Sequence, residues 1–262
     1  MEIPFSKFHG AGNDFIIIDN RKDIFPKSTN LIKNLCDRHF GIGADGLMLL
    51  EASNVSDFYM RYFNSDGNES TMCGNGGRCI TLFAQKIGLI ESSASFMGID
   101  GKHVSVIENS GLINLKMQDV KGIEVGKDYY FLNTGSPHYV CFVDNVLQVD
   151  VSVLGKTIRN SFNPNQGGTN VNFVDLTSNK INIRTFERGV EAETLACGTG
   201  SVATAIAVSY HTKSLKTDYL INTVGGILNV RFKKVNDSEY IDVWLKGPAV
   251  HVFDGTITAQ IV

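Results

Sequence analysis

Residues 73–77 read CGNGG and residues 197–201 read CGTGS, and each stretch runs directly into an apolar segment compatible with a helix. A cysteine just before a helix lies beside unpaired backbone N–H groups and the positive end of the helix dipole. Both features favour a thiolate, and they can also bind an anion. Two thiols placed in this way indicate a paired acid and base.

The repeat extends upstream of the cysteines. Residues 61–64 read RYFN and residues 184–187 read RTFE, and both end a strand-like pattern of period two. Asn64 stands opposite Glu187, and the cysteine follows nine residues later in the first copy and ten in the second. A strand, a polar loop and a helix start therefore occur twice, which predicts two domains of one architecture.

The segments after the cysteines both predict helices. In the first, Gly88 is a C-cap after apolar residues spaced i, i+3, i+4 and i+7: Ile80, Phe83, Ala84 and Ile87. In the second, residues 202–208 leave almost no polar face, which predicts a helix enclosed by other structure. Two further helices are predicted, over 28–39 and 151–159.

Most of the remaining chain predicts short strands, by alternation or by β-branched content. They cover 3–8, 15–19, 58–64, 103–108, 112–118, 129–133, 139–143, 171–176, 181–186, 219–223, 227–232 and 240–245. Many strands and one apolar helix per half predict an α+β fold of two pseudo-symmetric domains, each a rolled mixed β-sheet or barrel around a central helix. Glycines interrupt the pattern near 118–128, so we expect domains over residues 1–118 and 119–249.

Composition narrows the class of protein. The chain has 262 residues, 43% of them hydrophobic, which is typical of a globular protein with one large or two small cores. A formal net charge of -3 without a basic run argues against a nucleic-acid partner. No apolar run approaches the ~20 residues of a membrane span, and the start lacks a signal-peptide pattern. We expect a cytoplasmic protein without a membrane partner.

The five cysteines predict reduced thiols. Their number is odd, their spacing is not that of a disulfide scaffold, and no CxxC pair occurs. The six histidines are scattered, so we expect no metal site. Cys36 lies in the predicted helix over 28–39, Cys79 in the first turns of the Gly-rich helix and Cys141 in an apolar strand, and we expect all three to be packing residues.

Four motifs together resemble the diaminopimelate epimerase family. They are FHGAGNDF at 8–15, the run over 64–79, GSPH at 135–138 and the run over 187–200, and the resemblance spans nearly the whole chain. It implies two pseudo-symmetric domains with the active site between them, and a final strand near 257–261 that returns to the first domain, so that residues 250–262 complete it. It also implies no cofactor, a small amino-acid substrate, a homodimer and interconversion of L,L- and meso-diaminopimelate.

Inverting a stereocentre by proton transfer explains why two thiols are needed. A base on one face removes the α-hydrogen, and an acid on the other face delivers one, so Cys73 and Cys197 are the expected catalytic pair. The resemblance implies that His138 assists Cys73 and that Glu187 assists Cys197. The residues alone favour a turn residue for His138 and a solvated strand end for Glu187.

The substrate must be held at both ends. Backbone N–H groups of the two cysteine loops are expected to bind the carboxylate beside the reacting carbon: Gly74, Asn75, Gly198 and Thr199. Arg188 is the expected partner of a distal carboxylate, because its planar guanidinium can donate two parallel hydrogen bonds. Asn13, Asn64 and Asn170 match family positions that hydrogen-bond the substrate.

Three positions depart from the family pattern. Ser136 and Gly46 stand where many members have asparagine and glutamine, and the loop over 188–196 is one residue longer. These departures put the substrate identity in question. The alternatives are another cofactor-independent amino-acid racemase of this fold, for instance one similar to proline racemase, or a thiol redox protein. A phosphate-binding module fits less well, because residues 73–78 lack the Lys-Ser/Thr ending of a P-loop.

Overall fold

The structure is a computed structural model that describes residues 2–163, 165, 167–177 and 180–258. It divides into two compact units. One runs from the start of the chain to Leu115 and is completed by the segment from Pro248, and the other runs from Lys116 to Gly247. Each unit combines a mixed β-sheet with few helices, as the sequence predicts.

Among the described residues, eight strands begin in the first part of the first unit, which also contains two helices. The strands are β1 (Glu2–Gly10), β2 (Asn13–Asp19), β3 (Gly46–Glu51), β4 (Phe58–Asn64), β5 (Glu69–Ser70), β6 (Ser93–Gly98), β7 (Gly101–Ile107) and β8 (Ile113–Lys116). The helices are α1 (Thr29–Cys36) and α2 (Gly74–Lys86).

The second unit contains ten described strands and two α-helices. The strands are β9 (Val120–Lys121), β10 (Glu124–Val125), β11 (Tyr130–Asn133), β12 (Pro137–Phe142), β13 (Asn170–Thr177), β14 (Lys180–Glu187), β15 (Ala192–Thr194), β16 (Asp218–Thr223), β17 (Gly226–Asn236) and β18 (Glu239–Gly247). The helices are α3 (Val151–Ser161) and α4 (Gly198–His211), and a 3₁₀ turn spans Val146–Gln148. The chain then returns to the first unit as β19 (Val250–Thr258), which pairs antiparallel with β1.

The strand pairing of the two units is the same, element for element. In the first unit β1, β2, β3, β4, β6 and β7 pair in that order, and the β2–β3 and β4–β6 pairs are parallel. In the second unit β11, β12, β13, β14, β16 and β17 pair in that order, and the β12–β13 and β14–β16 pairs are parallel. In the first unit, α1 lies in the connection from β2 to β3 and α2 in the connection from β4 to β6. In the second unit, α3 lies in the connection from β12 to β13 and α4 in the connection from β14 to β16. Asn64 and Glu187 are the last residues of equivalent strands, so their predicted equivalence is confirmed.

A buried helix lies inside each sheet. Helix α2 packs against β1, β2, β3, β7 and β19, and α4 packs against β11–β14 and β16–β18. Residues 200–208 of α4 are all buried, so the predicted enclosed helix is confirmed. Because Val202 and Ile206 are fully buried, each contributes about 1.5–3 kcal/mol of burial free energy. The packing fixes where the two helix starts lie within their units.

Strands β3 and β6 were not predicted from the sequence. Strand β3 lies between β2 and β4, and its first five residues are buried on both faces, so the run GLMLL carries no alternation. The final strand covers Val250–Thr258, earlier in the chain than predicted. Residues 259–261 of the predicted strand lie outside the described residues.

Candidate active site

Cys73 and Cys197 are both N-cap residues, as the sequence predicts. Their backbones are extended, with φ/ψ of -92°/133° and -113°/116°, and neither side chain caps its helix. The first helical hydrogen bonds run from Gly77 N–H to Cys73 O (2.8 Å) and from Ser201 N–H to Cys197 O (2.9 Å). The N–H groups of the turn before them therefore lie outside the helical ladder and can donate to an anion.

In the first unit, Asn13 joins the thiol to an acidic residue. Its Oδ1 lies 3.6 Å from Cys73 Sγ and 3.3 Å from Asn75 Nδ2, and its Nδ2 donates to Asp45 Oδ2 at 2.5 Å. A carboxylate can only accept, so Asp45 fixes the amide of Asn13 with its carbonyl oxygen towards the thiol. Three predicted site residues therefore meet in this unit, and Asp45 is a residue that the sequence analysis missed.

Further charges hold Asp45 in place. Arg38 donates to Asp45 Oδ1 and to Asp14 Oδ1, both at 2.7 Å, and Lys7 Nζ lies 2.7 Å from Asp14 Oδ2. Burial alone would raise the pKa of Asp14, but the hydrogen bonds from Arg38 and Lys7 outweigh it and lower the pKa to about 2. The motif around Asn13 is therefore tied to a network of fixed charges.

Arg78 is a buried cation in α2. It is 0% exposed, and its guanidinium donates to Gly74 O (3.1 Å), Asn75 Oδ1 (2.7 Å) and Pro248 O (3.3 Å). Among the described residues it has no carboxylate partner. A buried charge without a counter-ion is costly, and at the N-terminal end of a helix it adds to the positive potential beside Cys73.

In the second unit, Asn170 gathers three segments of the site. Its Nδ2 donates to Ser136 Oγ at 2.8 Å and to Pro137 O at 3.0 Å, and its Oδ1 accepts from Arg188 N–H at 2.9 Å. His138 Nε2 lies 3.5 Å from the same amide nitrogen. The hydroxyl of Ser136 is thus bonded to a neighbour within the site.

His138 lies in β12 and is fully buried, so it is not a turn residue. Its Nδ1 lies 3.0 Å from Asn172 Nδ2, another contact that the sequence did not reveal. Burial lowers the pKa of His138 to about 3, and the positive charge of Arg188 acts in the same direction. The imidazole is therefore neutral at physiological pH.

The acidic residue and the thiol of the second unit each contact a hydroxyl. Thr194 Oγ1 donates to Glu187 Oε1, and Cys197 Sγ lies 3.5 Å from Thr199 Oγ1. The backbone oxygen of Thr199 accepts from Thr134 Oγ1 at 3.0 Å, which anchors the helix start to the segment before β12.

Arg188 is half-buried, and its guanidinium makes one long contact, to Gly168 O at 3.5 Å. It forms no ion pair within the described part of the chain, unlike Arg21, Arg38, Arg61, Arg159 and Arg184. A half-buried guanidinium without a counter-ion suits a carboxylate ligand.

One predicted substrate contact, Asn64, lies at the end of a strand. Asn64 is exposed at the end of β4, directly across from Gly46. A Cβ at position 46 would lie 2.6 Å from Phe63 O and 2.6 Å from Tyr62 Cε2. Because the neighbouring strand approaches so closely, this chain requires glycine at position 46, and a larger side chain could not be introduced there without moving β4.

The other three thiols are not among the predicted site residues, although Cys141 Sγ donates to the backbone oxygen of Asn172 at 3.6 Å. Burial raises the pKa of Cys36 and of Cys141 to about 12, and it raises the pKa of the fully buried Cys79 thiol as well. These residues stay protonated and fit the predicted packing role. All five cysteines are in the thiol form in the described residues.

The structure also contains a cavity apart from the predicted site residues. A cavity of about 770 Å³ in the second unit is lined by residues that include Asp144, Leu147 and Arg184, and none of the predicted site residues lines it. No group of three or more metal-ligating side chains occurs in the described ranges. None of the helices in the part of the chain that the structure describes is long and apolar enough to cross a membrane.

Comparison with known proteins identifies the family. The family model for diaminopimelate epimerase matches residues 5–128 and 130–252. Diaminopimelate epimerase of Flavobacterium psychrophilum is 52% identical over 253 residues, which cover 96% of this chain and 98% of that protein. Diaminopimelate epimerase of Chlorobaculum tepidum is 41% identical over 259 residues, which cover 95% of this chain and 99% of that protein.

Solved structures share the fold at low sequence identity. A PhzF-family phenazine biosynthesis protein of Bacillus anthracis matches with a TM-score of 0.78 and 16% identity, covering 99% of this chain and 100% of that one. A hydroxyproline epimerase of Agrobacterium vitis matches with a TM-score of 0.71 and 13% identity, covering 98% of this chain and 92% of that one. These neighbours confirm the predicted α+β architecture, and the sequence matches show that the chain belongs to the diaminopimelate epimerase family.

Proposed function

We propose that this chain interconverts L,L- and meso-2,6-diaminopimelate, with Cys73 and Cys197 as the two acid–base groups and no cofactor. The observation that carries the proposal is the pair of N-cap thiols at equivalent positions of two units with the same strand order. The curated relatives named diaminopimelate epimerase support the substrate.

The reaction needs one thiolate and one thiol. The thiolate takes the α-proton as the α-C–H bond breaks, and the bonding electron pair moves into the adjacent carboxylate. The other thiol then gives its proton to the opposite face of the α-carbon, so the product is the inverted isomer and the two sulfurs have exchanged protonation states. Each such positioned group typically contributes about 10²–10⁴ in rate.

The carbanion is the larger difficulty, because no cofactor accepts its charge. We infer that N–H groups of Gly74, Asn75, Gly198 and Thr199 bind the substrate α-carboxylate, where the negative charge accumulates. Both helix starts present N–H groups outside the helical ladder. Arg78 adds a buried positive charge beside the first of them.

Recognition of the distal amino-acid group falls to side chains on strand ends and loops. Arg188, whose guanidinium has no ion pair in the described residues, is our proposed partner of the distal carboxylate. Asn13, Asn64 and Asn170 are the proposed hydrogen-bonding partners, with His138 and Glu187 setting the protonation of the thiols. Since Ser136 and the amide nitrogen of Asn170 bond one another, the hydroxyl takes part in the site through Asn170.

A substrate panel in D₂O tests the function. Reduced enzyme without additives is incubated with L,L-diaminopimelate, meso-diaminopimelate, L-proline or trans-4-hydroxy-L-proline, and deuterium at the α-carbon is followed by NMR. We expect deuterium incorporation and interconversion for the two diaminopimelate isomers only. Exchange of a proline instead would assign a different racemase of the same fold, and no exchange with any substrate would contradict the proposal.

We also infer that the two compact units are the two pseudo-symmetric domains of the enzyme and that the chain forms a homodimer. Strand β19 exposes Val250, Val252 and Phe253, which supports an apolar contact with a second copy on the first domain. Light scattering coupled to size exclusion should give twice the chain mass of 28.7 kDa. Val252→Asp should lower that mass if this strand forms the contact.

The cellular location follows from the thiol chemistry. Two cysteines that must alternate between thiol and thiolate need a reducing compartment. We therefore propose that the protein acts in the cytoplasm on a free amino acid, with no nucleic-acid or membrane partner. Cell fractionation of a native source would test the location.

A further inference from the structure

A buried hydrogen-bonded chain leads to His138 in the second unit. Thr185 Oγ1 donates to Asn172 Oδ1 at 3.0 Å, and Asn172 Nδ2 lies 3.0 Å from His138 Nδ1. The same Nδ2 donates to the backbone oxygen of Tyr139 at 3.2 Å. Asn172 and His138 are both 0% exposed, so water does not compete for these contacts.

The orientation of the Asn172 amide is fixed by its neighbours. A backbone carbonyl can only accept a hydrogen bond, so the group that faces Tyr139 O must be the NH₂ of the amide. That NH₂ also faces His138 Nδ1, which must therefore be the acceptor. With Asn172 in this orientation, the hydroxyl of Thr185 donates to the amide oxygen, and every polar atom of the amide is used.

The tautomer of His138 follows from these contacts. A neutral imidazole has one N–H donor and one acceptor nitrogen, so a ring that accepts at Nδ1 carries its proton on Nε2. Nε2 has one contact in hydrogen-bond range among the described residues, Asn170 Nδ2 at 3.5 Å, and that amide already donates to Ser136 Oγ and Pro137 O. The Nε2–H therefore has no acceptor among the described residues.

An N–H group that is buried without an acceptor costs free energy. The cost is recovered when an acceptor arrives, and an anionic acceptor recovers most because the hydrogen bond is then charge-assisted. Burial keeps the ring neutral by lowering the pKa of His138 to about 3. His138 is thus prepared as a neutral donor.

We propose that Asn172 is a positioning residue that holds His138 as the Nε2–H tautomer, so that His138 acts as a hydrogen-bond donor to an anion and not as a general base. The identity of the anion rests on the proposed function, and it is either a substrate carboxylate or a cysteine thiolate. The Nε2–H of His138 then stabilises either the thiolate or the substrate carboxylate that receives the charge of the carbanion.

Helix α4 lies against the amide of Asn172. A Cβ added at Gly200 would lie 2.5 Å from Asn172 Oδ1, 3.2 Å from Cys197 Cβ and 3.3 Å from Cys197 Sγ. The amide of Asn172 is therefore confined between the first turn of the helix that carries Cys197 and the imidazole of His138. Asn172 couples the position of the histidine to that of the second thiol.

Imidazole ¹⁵N NMR of the substrate-free enzyme tests the tautomer directly. The protein is labelled at its histidine rings, and His138→Gln identifies the signals of His138 among the six histidines. We expect a pyridine-type Nδ1 and a protonated Nε2 that do not titrate between pH 6 and 8, roughly the range in which an ordinary histidine titrates. A protonated Nδ1, or a doubly protonated ring in that range, would overturn the proposal.

Variants separate positioning from simple packing. Asn172→Asp supplies an acceptor with a negative charge, so the proton should move to Nδ1 and His138 should titrate between about pH 5 and 9. We expect kcat/KM to fall at least about 10-fold and its pH profile to gain that ionisation. Asn172→Leu should give a mixture of tautomers, and an unchanged Nε2–H signal in a folded Asn172→Leu protein would also overturn the proposal.

Two matched controls should keep the tautomer. Thr185→Val removes the hydroxyl but leaves Tyr139 O to orient the amide. Asn182→Leu removes an amide that donates to Asp175 Oδ1 at 2.7 Å, on the strand paired with that of Asn172. If Asn182→Leu changed the His138 signals as much as Asn172→Leu did, the effect would be general and the proposal wrong.

The Hε2 resonance identifies the acceptor. A downfield shift that appears only on adding L,L-diaminopimelate assigns the substrate carboxylate, and a downfield shift in free enzyme that is lost in Cys73→Ser or Cys197→Ser assigns a thiolate. No hydrogen-bonded Hε2 in either state would overturn the donor role. Because the tautomer is read without substrate, a protonated Nδ1 in an active epimerase rejects this inference alone, and an Nε2–H ring in an inactive protein rejects the proposed function alone.

Discussion

The two helix starts have the same backbone and different surroundings. Five residues after Cys73 stands the buried cation Arg78, whereas five residues after Cys197 stands the fully buried Val202. Cys73 Sγ faces a carbonyl oxygen of Asn13, which is held by Asp45, and Cys197 Sγ faces the hydroxyl of Thr199. The duplicated backbone supplies two N-cap thiols, and the side chains give each thiol its own electrostatic environment.

The same contrast holds where the strands end. Asn64 and Glu187 close equivalent strands, and one is a neutral amide while the other is an acid that accepts from Thr194. Gly46 opens β3 where Asn170 opens β13, because no side chain fits at position 46. In the first unit, the surroundings of the cysteine are therefore backbone atoms and fixed charges. In the second unit, they are a buried cluster of side-chain amides around one histidine.

Of all the substitutions, removal of either thiol should have the largest effect on the rate of epimerisation. We expect Cys73→Ala and Cys197→Ala each to lower the epimerisation rate by about 10²–10⁴ or more, because each removes a proton-transfer group. The matched controls are Cys36→Ala and Cys141→Ala, which should stay within about 3-fold of wild type apart from packing losses. Epimerisation assays by circular dichroism or chiral chromatography measure the rates. A folded Cys79→Ala protein as impaired as Cys73→Ala would show that the wrong thiol was assigned.

Adding one methyl group at equivalent glycines should distinguish the two helix starts. At Gly200 the new Cβ would lie 2.5 Å from Asn172 Oδ1, which three hydrogen bonds hold in place, whereas at Gly76 it would meet the flexible Met48 at 3.2 Å. We expect Gly200→Ala to cost about 1–3 kcal/mol of unfolding free energy through overpacking. Gly76→Ala should stay within about 1 kcal/mol, since alanine also favours a helix. Equal losses in urea unfolding would contradict the contrast.

The buried histidine predicts a pH dependence that belongs to the second unit. Because the pKa of His138 is lowered to about 3, the unfolded chain binds a proton below its ordinary pKa of about 6.5 that the folded chain does not. The contribution of neutral His138 is complete above about pH 6.5 and is lost as the pH falls towards 3, at up to about 1.4 kcal/mol per pH unit.

The measurement compares wild type with His138→Gln in urea unfolding at pH 7 and pH 5. The difference between the two free energies of unfolding should shift against wild type by roughly 1–2 kcal/mol over that interval, while other titrating groups cancel. A difference that does not change with pH would show that folding does not lower the pKa of His138.

Replacing Arg78 should have a smaller effect that is specific to the first thiol. Arg78→Met removes the buried positive charge but keeps most of the side-chain volume. We expect iodoacetamide to alkylate Cys73 about 3- to 10-fold more slowly at pH 7.5, because an opposite charge nearby favours the thiolate. Peptide mass spectrometry of both thiols gives the rates, and Cys197 serves as the internal control. An equal slowing at Cys197 would mean that the effect is not local.

The sequence predicts the backbone of the site better than its side-chain partners. The Cys-Gly motifs locate both helix starts, because a polar loop followed by an apolar helix is a local signal. Strand β3 escapes notice because it is buried on both faces and shows no alternation. Asp45, Arg78 and Asn172 also escape notice, since their roles arise only when distant segments meet: Asp45 lies 32 residues from Asn13, and Asn172 lies 34 residues from His138.

The role of each individual asparagine in the site depends on the same long-range contacts. Asn170 fits a substrate contact from its motif alone, yet its amide is used by Ser136, Pro137 and the backbone of Arg188. Sequence spacing carries no information about which of two amides faces a histidine nitrogen. Only the contacts in the structure reveal that the amide of Asn172 faces Nδ1 of His138.

The central claim is that the two thiols act on opposite faces of one carbon, and isomer-resolved hydrogen exchange tests it most directly. Cys73→Ala and Cys197→Ala are each incubated in D₂O with pure L,L- or pure meso-diaminopimelate, and α-deuterium is located by NMR. The remaining thiol can still remove and return a proton on its own face, so each variant should exchange one configuration without inverting it, and the two variants should exchange opposite configurations. Exchange of the same configuration by both variants, or epimerisation by either at the wild-type rate, would contradict the account.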